Sequence, residues 1–305
     1  MIPANAKGGA EPPRTDAHRP CGDTVRIAQL SDPHLLSGSS GAKPLAAFRA
    51  VLAAALAEGP DAVVLTGDLA DDGTDLPDDG AVTARAEDRA EDRADRSAED
   101  SYAALAQAVA GLPCPVYYLP GNHDAPHRLR RALAAVGIPH TLTAELGAWR
   151  LAFLTTALPG RVAGGTDAAE LAALGAVLTA GPARPLLVFL HHPPVAIGSP
   201  WMDEIGLLDP ENLFGLLDRH PEVRALACGH IHQAFAAERR GVAIYGCPST
   251  LVQFRPRTQR LERDPLPPGY RLFFLGADLR LATEIRRLPV APLPGQADPA
   301  ARVAP

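Results

Sequence analysis

The sequence predicts an α/β fold. Between residues 24 and 288, short apolar runs of strand length alternate with longer stretches of helical pattern. A polar cluster follows five of those runs directly, the place where open α/β sheets bind ligands. Toward the C-terminus, further strand-like runs follow with little helix between them.

Each element has its own signal. Val25–Leu30, Ala62–Thr66, Val116–Leu119, Leu151–Thr155, Leu186–Leu190 and Ala225–Cys228 are short and nearly continuous in apolar residues, as strands buried on both faces are. Helices are expected near 44–58, 101–110, 126–136, 168–180 and 210–219. The last has Asp209 as its N-cap and Pro210 at its first helical position. Val242–Tyr245, Tyr270–Leu275 and Leu281–Arg287 read as consecutive strands.

The chain has 305 residues, of which 47% are hydrophobic, ample for a sizeable core. One domain is expected over 24–288, between disordered tails at 1–23 and 289–305 that are rich in Pro, Gly, Ala and charge. A solvated charged insertion is expected at about 75–100. Within it, residues 85–100 repeat with a period of four, which sets like charges at i,i+4 and weakens a helix. A partner-binding arm is the alternative reading of that segment. The formal net charge of −6 disfavours nucleic acid as a partner. Cys21, Cys114, Cys228 and Cys247 form no CxxC pair and read as reduced thiols, which suits the cytoplasm. No signal-peptide pattern opens the chain, and the most apolar window, Leu171–Leu190, is broken by Thr179, Pro182, Arg184 and Pro185, so no membrane segment is expected. Oligomeric state is not legible.

The five clusters carry the chemistry. Leu30 runs into Asp32-Pro33-His34, Thr66 into Gly67-Asp68, and Leu119 into Gly121-Asn122-His123-Asp124. Leu190 runs into His191-His192-Pro193-Pro194, and Cys228 into Gly229-His230-Ile231-His232. Each alone has a bland reading: a capping turn, a Gly-Asn turn, a pair of satisfied core histidines. Together, five polar clusters at five strand ends can converge on one site. Imidazole, carboxylate and amide donors without thiolate fit a catalytic metal site better than a closed structural one.

These motifs, spanning residues 32–232 in order, resemble the calcineurin-like metallophosphoesterase superfamily. Ser199–Asp203, Cys228–Gln233, Pro248–Phe254 and Pro268–Arg271 further resemble bacterial class III cyclic-nucleotide phosphodiesterases. The resemblance covers about residues 24–288 and implies a four-layer α/β/β/α sandwich with two mixed sheets, the metallo-dependent phosphatase fold. It implies two metal ions, iron, manganese or zinc. One would be held by Asp32, His34, Asp68 and His232. The other would be held by Asp68, Asn122, His191 and His230, so that Asp68 bridges both. His123 would be catalytic, acting on the phosphate or leaving oxygen. His34, Asp68, Asn122, His123 and His232 would meet the substrate. His192 matches no ligand, and Asp124 is expected to orient a neighbouring imidazole. Two divalent ions and two aspartates leave a net charge of about +2, suited to a phosphodiester.

The implied reaction is hydrolysis of 3′,5′-cyclic AMP to 5′-AMP by a metal-bridging hydroxide, with a cyclic nucleotide as the small-molecule partner. Trp201–Gly206 and Pro248–Pro256 are candidate walls for the base. Hydrolysis of another phosphodiester or a phosphomonoester is the alternative. A non-catalytic interaction module on the same fold is disfavoured by the complete ligand set.

Overall fold

The computed structural model describes residues 23–71 and 99–289. All but one residue of each expected tail, and nearly all of the expected insertion, lie outside the described residues.

Two mixed sheets pack face to face. In the first, β1 (Thr24–Leu30), β2 (Ala62–Thr66) and β3 (Val116–Leu119) run parallel. On the far side of β1 lie β12 (Gly269–Gly276) and then β13 (Leu281–Arg287), each antiparallel to its neighbour. In the second, β5 (Trp149–Phe153), β6 (Leu186–Leu190), β7 (Val223–Cys228) and β9 (Val242–Gly246) run parallel. Its edges are the antiparallel strands β4 (Thr143–Leu146) and β8 (Phe235–Arg239). A short hairpin, β10 (Gln253–Phe254) with β11 (Arg263–Asp264), stands apart.

Side-chain alternation sorts the layers. Ile27, Val64, Leu119, Phe153, Leu187, Phe189, Ala225 and Phe273 fill the space between the sheets. Their neighbours face outward. Ala28, Leu30, Val63 and Leu65 pack with α1 (Ala42–Ala57), the helix at 99–109 (α2) and α3 (Pro126–Ala134). Val188, Leu190, Leu226 and Cys228 pack with α4 (Ala168–Ala180), α5 (Pro200–Asp203) and α6 (Pro210–Leu217). The order is helix, sheet, sheet, helix. Burial of both strand faces explains the unbroken apolar runs.

Polar side chains also cross between the sheets. Arg271 of β12 is buried and donates to the carbonyls of Phe235 and Gly246 and to Thr283 Oγ1, with Tyr245 5.0 Å from its guanidinium. Trp149 Nε1 donates to Gly276 O at 2.9 Å. Among the described residues, no helix is long and apolar enough to cross a membrane.

The structure corrects four expectations. The three C-terminal strands are not one run, because β9 lies inside the second sheet, between β7 and β8, while β12 and β13 return to the first. β5 starts two residues earlier than expected and ends at Phe153, since Thr155 N turns away to donate to Glu170. β4 and β8 were not expected; TAEL and FAAER are half-exposed edge strands with too few apolar residues to announce themselves. Asp209 sits at the N-cap of α6 but makes no capping bond there. Its carboxylate instead accepts from Thr166 N, Thr166 Oγ1 and Asn212 Nδ2.

Candidate metal centre

The five polar clusters meet at the carboxyl ends of β1, β2, β3, β6 and β7. Their loops are laced together by backbone bonds. Asp32 N donates to Gly67 O, His34 N to Asp68 O and Gly229 N to His191 O, all at 3.0–3.1 Å. The packing is tight enough to require glycine. A Cβ on Gly121 would lie 2.2 Å from Asp68 Oδ1, and one on Gly67, whose φ is +84°, would lie 2.3 Å from His191 Nδ1.

Five non-glycine residues adopt left-handed backbone here: Asp32, His34, Asp68, His230 and His232. Each such residue costs about 1 kcal/mol or more, and such strain concentrates at functional sites. The reward is aim. Asp68 points its two carboxylate oxygens at different neighbours. Oδ2 lies 3.7 Å from His34 Nε2, and Oδ1 lies 3.2 Å from His191 Nε2.

Around Oδ2, His34 Nε2 and His232 Nε2 approach to 3.2 Å, and His232 Nε2 lies 3.4 Å from Asp32 Oδ1. His232 Nδ1–H donates to Val252 O at 2.9 Å, so its Nε2 is the nitrogen turned inward. Around Oδ1, His191 Nε2 also lies 3.2 Å from Asn122 Oδ1, while His191 Nδ1–H donates to Thr66 O at 2.8 Å. The His230 ring centroid is 5.0 Å from that of His191, and His230 Nε2 is buried without a hydrogen-bond partner. His230 N donates to both oxygens of Asp32.

Electron-pair donors thus face one another across short gaps, an arrangement that demands a cation. Burial opposes charge on Asp68, but the imidazoles of His191, His34 and His123 outweigh it and hold its carboxyl well below the usual range. Burial likewise opposes charge on His191, yet Asp68 and Asp32 push it up to about 9. The carboxylates therefore call for positive charge, which either a proton on imidazole or a metal ion in the same gap supplies. Ligand atoms of Asp32, His34 and His232 lie within 4.8 Å of one another, as do those of Asp32, Asp68 and His191. The donor set, the buried unpartnered His230 nitrogen and the two-way aim of Asp68 all fit a pair of metal ions.

Ligand atoms of His191, His192 and His230 also lie within 4.8 Å of one another, but His192 has no lone pair to offer. Its Nε2–H donates to Val162 O and its Nδ1 accepts from Thr156 Oγ1, both at 2.9 Å. Burial and the neighbouring His191 lower it to about 3, so it stays neutral. It braces the loop at 162–164.

Asp124 does not orient an imidazole. Its carboxylate folds back on the backbone, accepting from Gly121 N, Leu69 N, Ala70 N and Tyr102 Oη–H. It clamps the loops that present Asp68 and Asn122. Asp71, missed in the sequence, is the carboxylate among the imidazoles. Its oxygens lie 3.6 Å from His34 Nδ1 and 3.6 Å from His123 Nδ1. Burial works against protonation of His123, but Asp71 and Asp68 push it up to about 9. The available signal was an acid three residues beyond Asp68, easily read as part of an acidic loop.

Comparisons with known proteins give the family and the fold. The family model of the calcineurin-like phosphoesterases matches residues 25–234. The chain is 34% identical to the 3′,5′-cyclic adenosine monophosphate phosphodiesterase CpdA of Pseudomonas aeruginosa, over 90% of this chain and 92% of that protein. It is 32% identical to a 3′,5′-cyclic-nucleotide phosphodiesterase of Nostoc, over 87% and 93% respectively. It is 31% identical to CpdA of Escherichia coli, over 87% and 90%. Among solved structures, a dimetal phosphatase from Danio rerio superposes with a TM-score of 0.53 at 15% identity, over 85% of this chain and 98% of that one. At that identity the likeness speaks for the fold alone. With the family model spanning all five strand-end clusters, the chain belongs to the calcineurin-like phosphoesterase family.

Proposed function

We propose that this chain hydrolyses 3′,5′-cyclic AMP to 5′-AMP at a site that holds two metal ions. The observation that carries the reading is Asp68, whose two oxygens face different imidazoles, His34 and His191. The substrate is supported by the cyclic-nucleotide relatives, which match nearly end to end. One ion would be held by Asp32, His34, Asp68 and His232, the other by Asp68, Asn122, His191 and His230. When bound, such a pair supplies Lewis acidity toward the phosphoryl oxygens and makes water acidic enough to act as a nucleophile at neutral pH.

The chain's own residues do the rest. Thr66 O and Val252 O fix the tautomers of His191 and His232, so both Nε2 atoms face inward. His34, Asp68, Asn122, His123 and His232 line the place where the phosphate is seated. Asp71 engages His123 at Nδ1, which leaves Nε2 to hold the proton given to the departing 3′ oxygen. Loss of that oxygen yields 5′-AMP; loss of the 5′ oxygen would yield 3′-AMP. Donors of nitrogen and oxygen without thiolate suit iron, manganese or zinc. The free thiols Cys114, Cys228 and Cys247 support a cytoplasmic setting.

The test is a product assay with defined metals on cyclic AMP, cyclic GMP and an aryl phosphodiester. Chromatography is expected to show 5′-AMP accumulating. Accumulation of 3′-AMP would overturn the leaving-group assignment. Brisk hydrolysis of the aryl diester without turnover of cyclic AMP would replace the substrate by another phosphodiester.

A further inference from the structure

We infer that Phe254 is a positioning residue for His232, holding that imidazole by its face. The inference rests on the proposed role of His232 as a metal ligand. The rings of His232 and Phe254 lie 4.2 Å apart, centroid to centroid, and within 4° of parallel. Two residues earlier, Val252 O takes the Nδ1 proton of the same imidazole at 2.9 Å. Phe254 N returns a bond to His232 O at 3.1 Å. One short segment therefore grips His232 by its edge, its face and its backbone. The hydrogen bond sets the tautomer and direction of the ring. The stack adds a second restraint on rotation about the Cβ–Cγ bond, from the face of the ring. Nε2 is thereby kept toward Asp32 and His34.

The segment is itself anchored. Ser249 Oγ–H donates to Asp32 O at 2.7 Å and accepts from Leu251 N and Val252 N. Gln253 Nε2 donates to Ser249 O. Behind Phe254, the Trp201 ring stands edge-on at 5.4 Å, tied through Nε1 to Thr258 Oγ1. Phe254 is 8% exposed, with His232 on one face and Trp201 at its side. It is therefore a support for the ligand shell and not an open wall for a base.

Metal-stripped wild type and Phe254→Leu, which keeps an apolar side chain but no flat ring, are titrated with Mn²⁺ by calorimetry. Turnover of cyclic AMP is measured in parallel. Wild type is expected to bind two ions. In Phe254→Leu one of the two sites weakens about 10- to 100-fold, as when a ligand's supporting partner is lost, while the other is unchanged. kcat falls and KM stays within about twofold. Phe254→Tyr, which keeps the ring, recovers most of the lost affinity. Should Phe254→Leu fail to fold, Phe254→Met carries the same comparison with a more adaptable side chain. Two ions of unchanged affinity in the truncated variant would overturn the inference, as would a rise in KM alone. Fewer than two ions on wild type would overturn the metal reading itself and the inference with it.

Discussion

The two halves of the centre are supported from different places. His191 takes its tautomer from Thr66 O, at the end of a central strand, and is wholly buried. Its neighbour Asn122 sits on the loop clamped by Asp124 and Tyr102. That half is built into the strand ends. His232 depends instead on Val252, in the segment that follows β9, and on Phe254, in the first strand of the small hairpin. Asp68 belongs to both halves. Where support comes from strand ends, the core that stabilises the fold also aims the ligands. Where it comes from a following segment, the support is a single backbone carbonyl and one ring, itself packed into the outer core of the second sheet.

That comparison can be broken at several points. Asp68→Ala is expected to abolish the difference altogether, by releasing both ions and reducing turnover to the assay background. Metal analysis finding full occupancy in that variant would contradict its bridging place. His123→Ala lies outside both halves. It is expected to keep two ions and lose roughly 10²- to 10⁴-fold in kcat, with a smaller loss on a diester whose leaving group needs no proton. Loss of a metal instead would make His123 a ligand. Asp71→Asn keeps the shape but removes the charge beside His123 and His34, and about a tenfold loss in kcat is expected. An unchanged rate would leave Asp71 without a catalytic part.

The smallest effect is expected at Tyr102→Phe. It leaves Ala125 N, now bonded to Tyr102 Oη at 2.7 Å, without its acceptor. A destabilisation of about 1–2 kcal/mol is expected in denaturant unfolding, with both metal affinities near wild type. A selective loss at the His191 half would mean that the clamp tunes the ligands as well as the fold.

Much of this centre was legible because of where strands end. Leu30, Thr66, Leu119, Leu190 and Cys228 close runs buried on both faces, so polarity switches abruptly where the chain leaves the sheet. That switch marks the loops, and the family motifs name the residues. What stayed hidden depends on how loops fold back. Asp124 stands next to His123 in sequence, yet its turn sends the carboxylate to Gly121 N. Asp71 looks like one acid among several until the pairing of Leu35 with Ala70 brings it to His34 and His123. The left-handed backbone at Asp32, His34, Asp68, His230 and His232 was also out of reach, since neither Asp nor His signals it as Gly does. Pro248–Pro256 read as a candidate wall for the base; only the fold shows that within it a face of Phe254 is taken by His232.

The two-ion site can be observed directly by anomalous scattering from crystals grown with Mn²⁺. Two peaks are expected about 3.5–4 Å apart, one on each side of the Asp68 carboxylate. One should adjoin Asp32, His34 and His232, the other Asn122, His191 and His230. A single peak, or a second peak away from His191 and His230, would contradict the bridged pair.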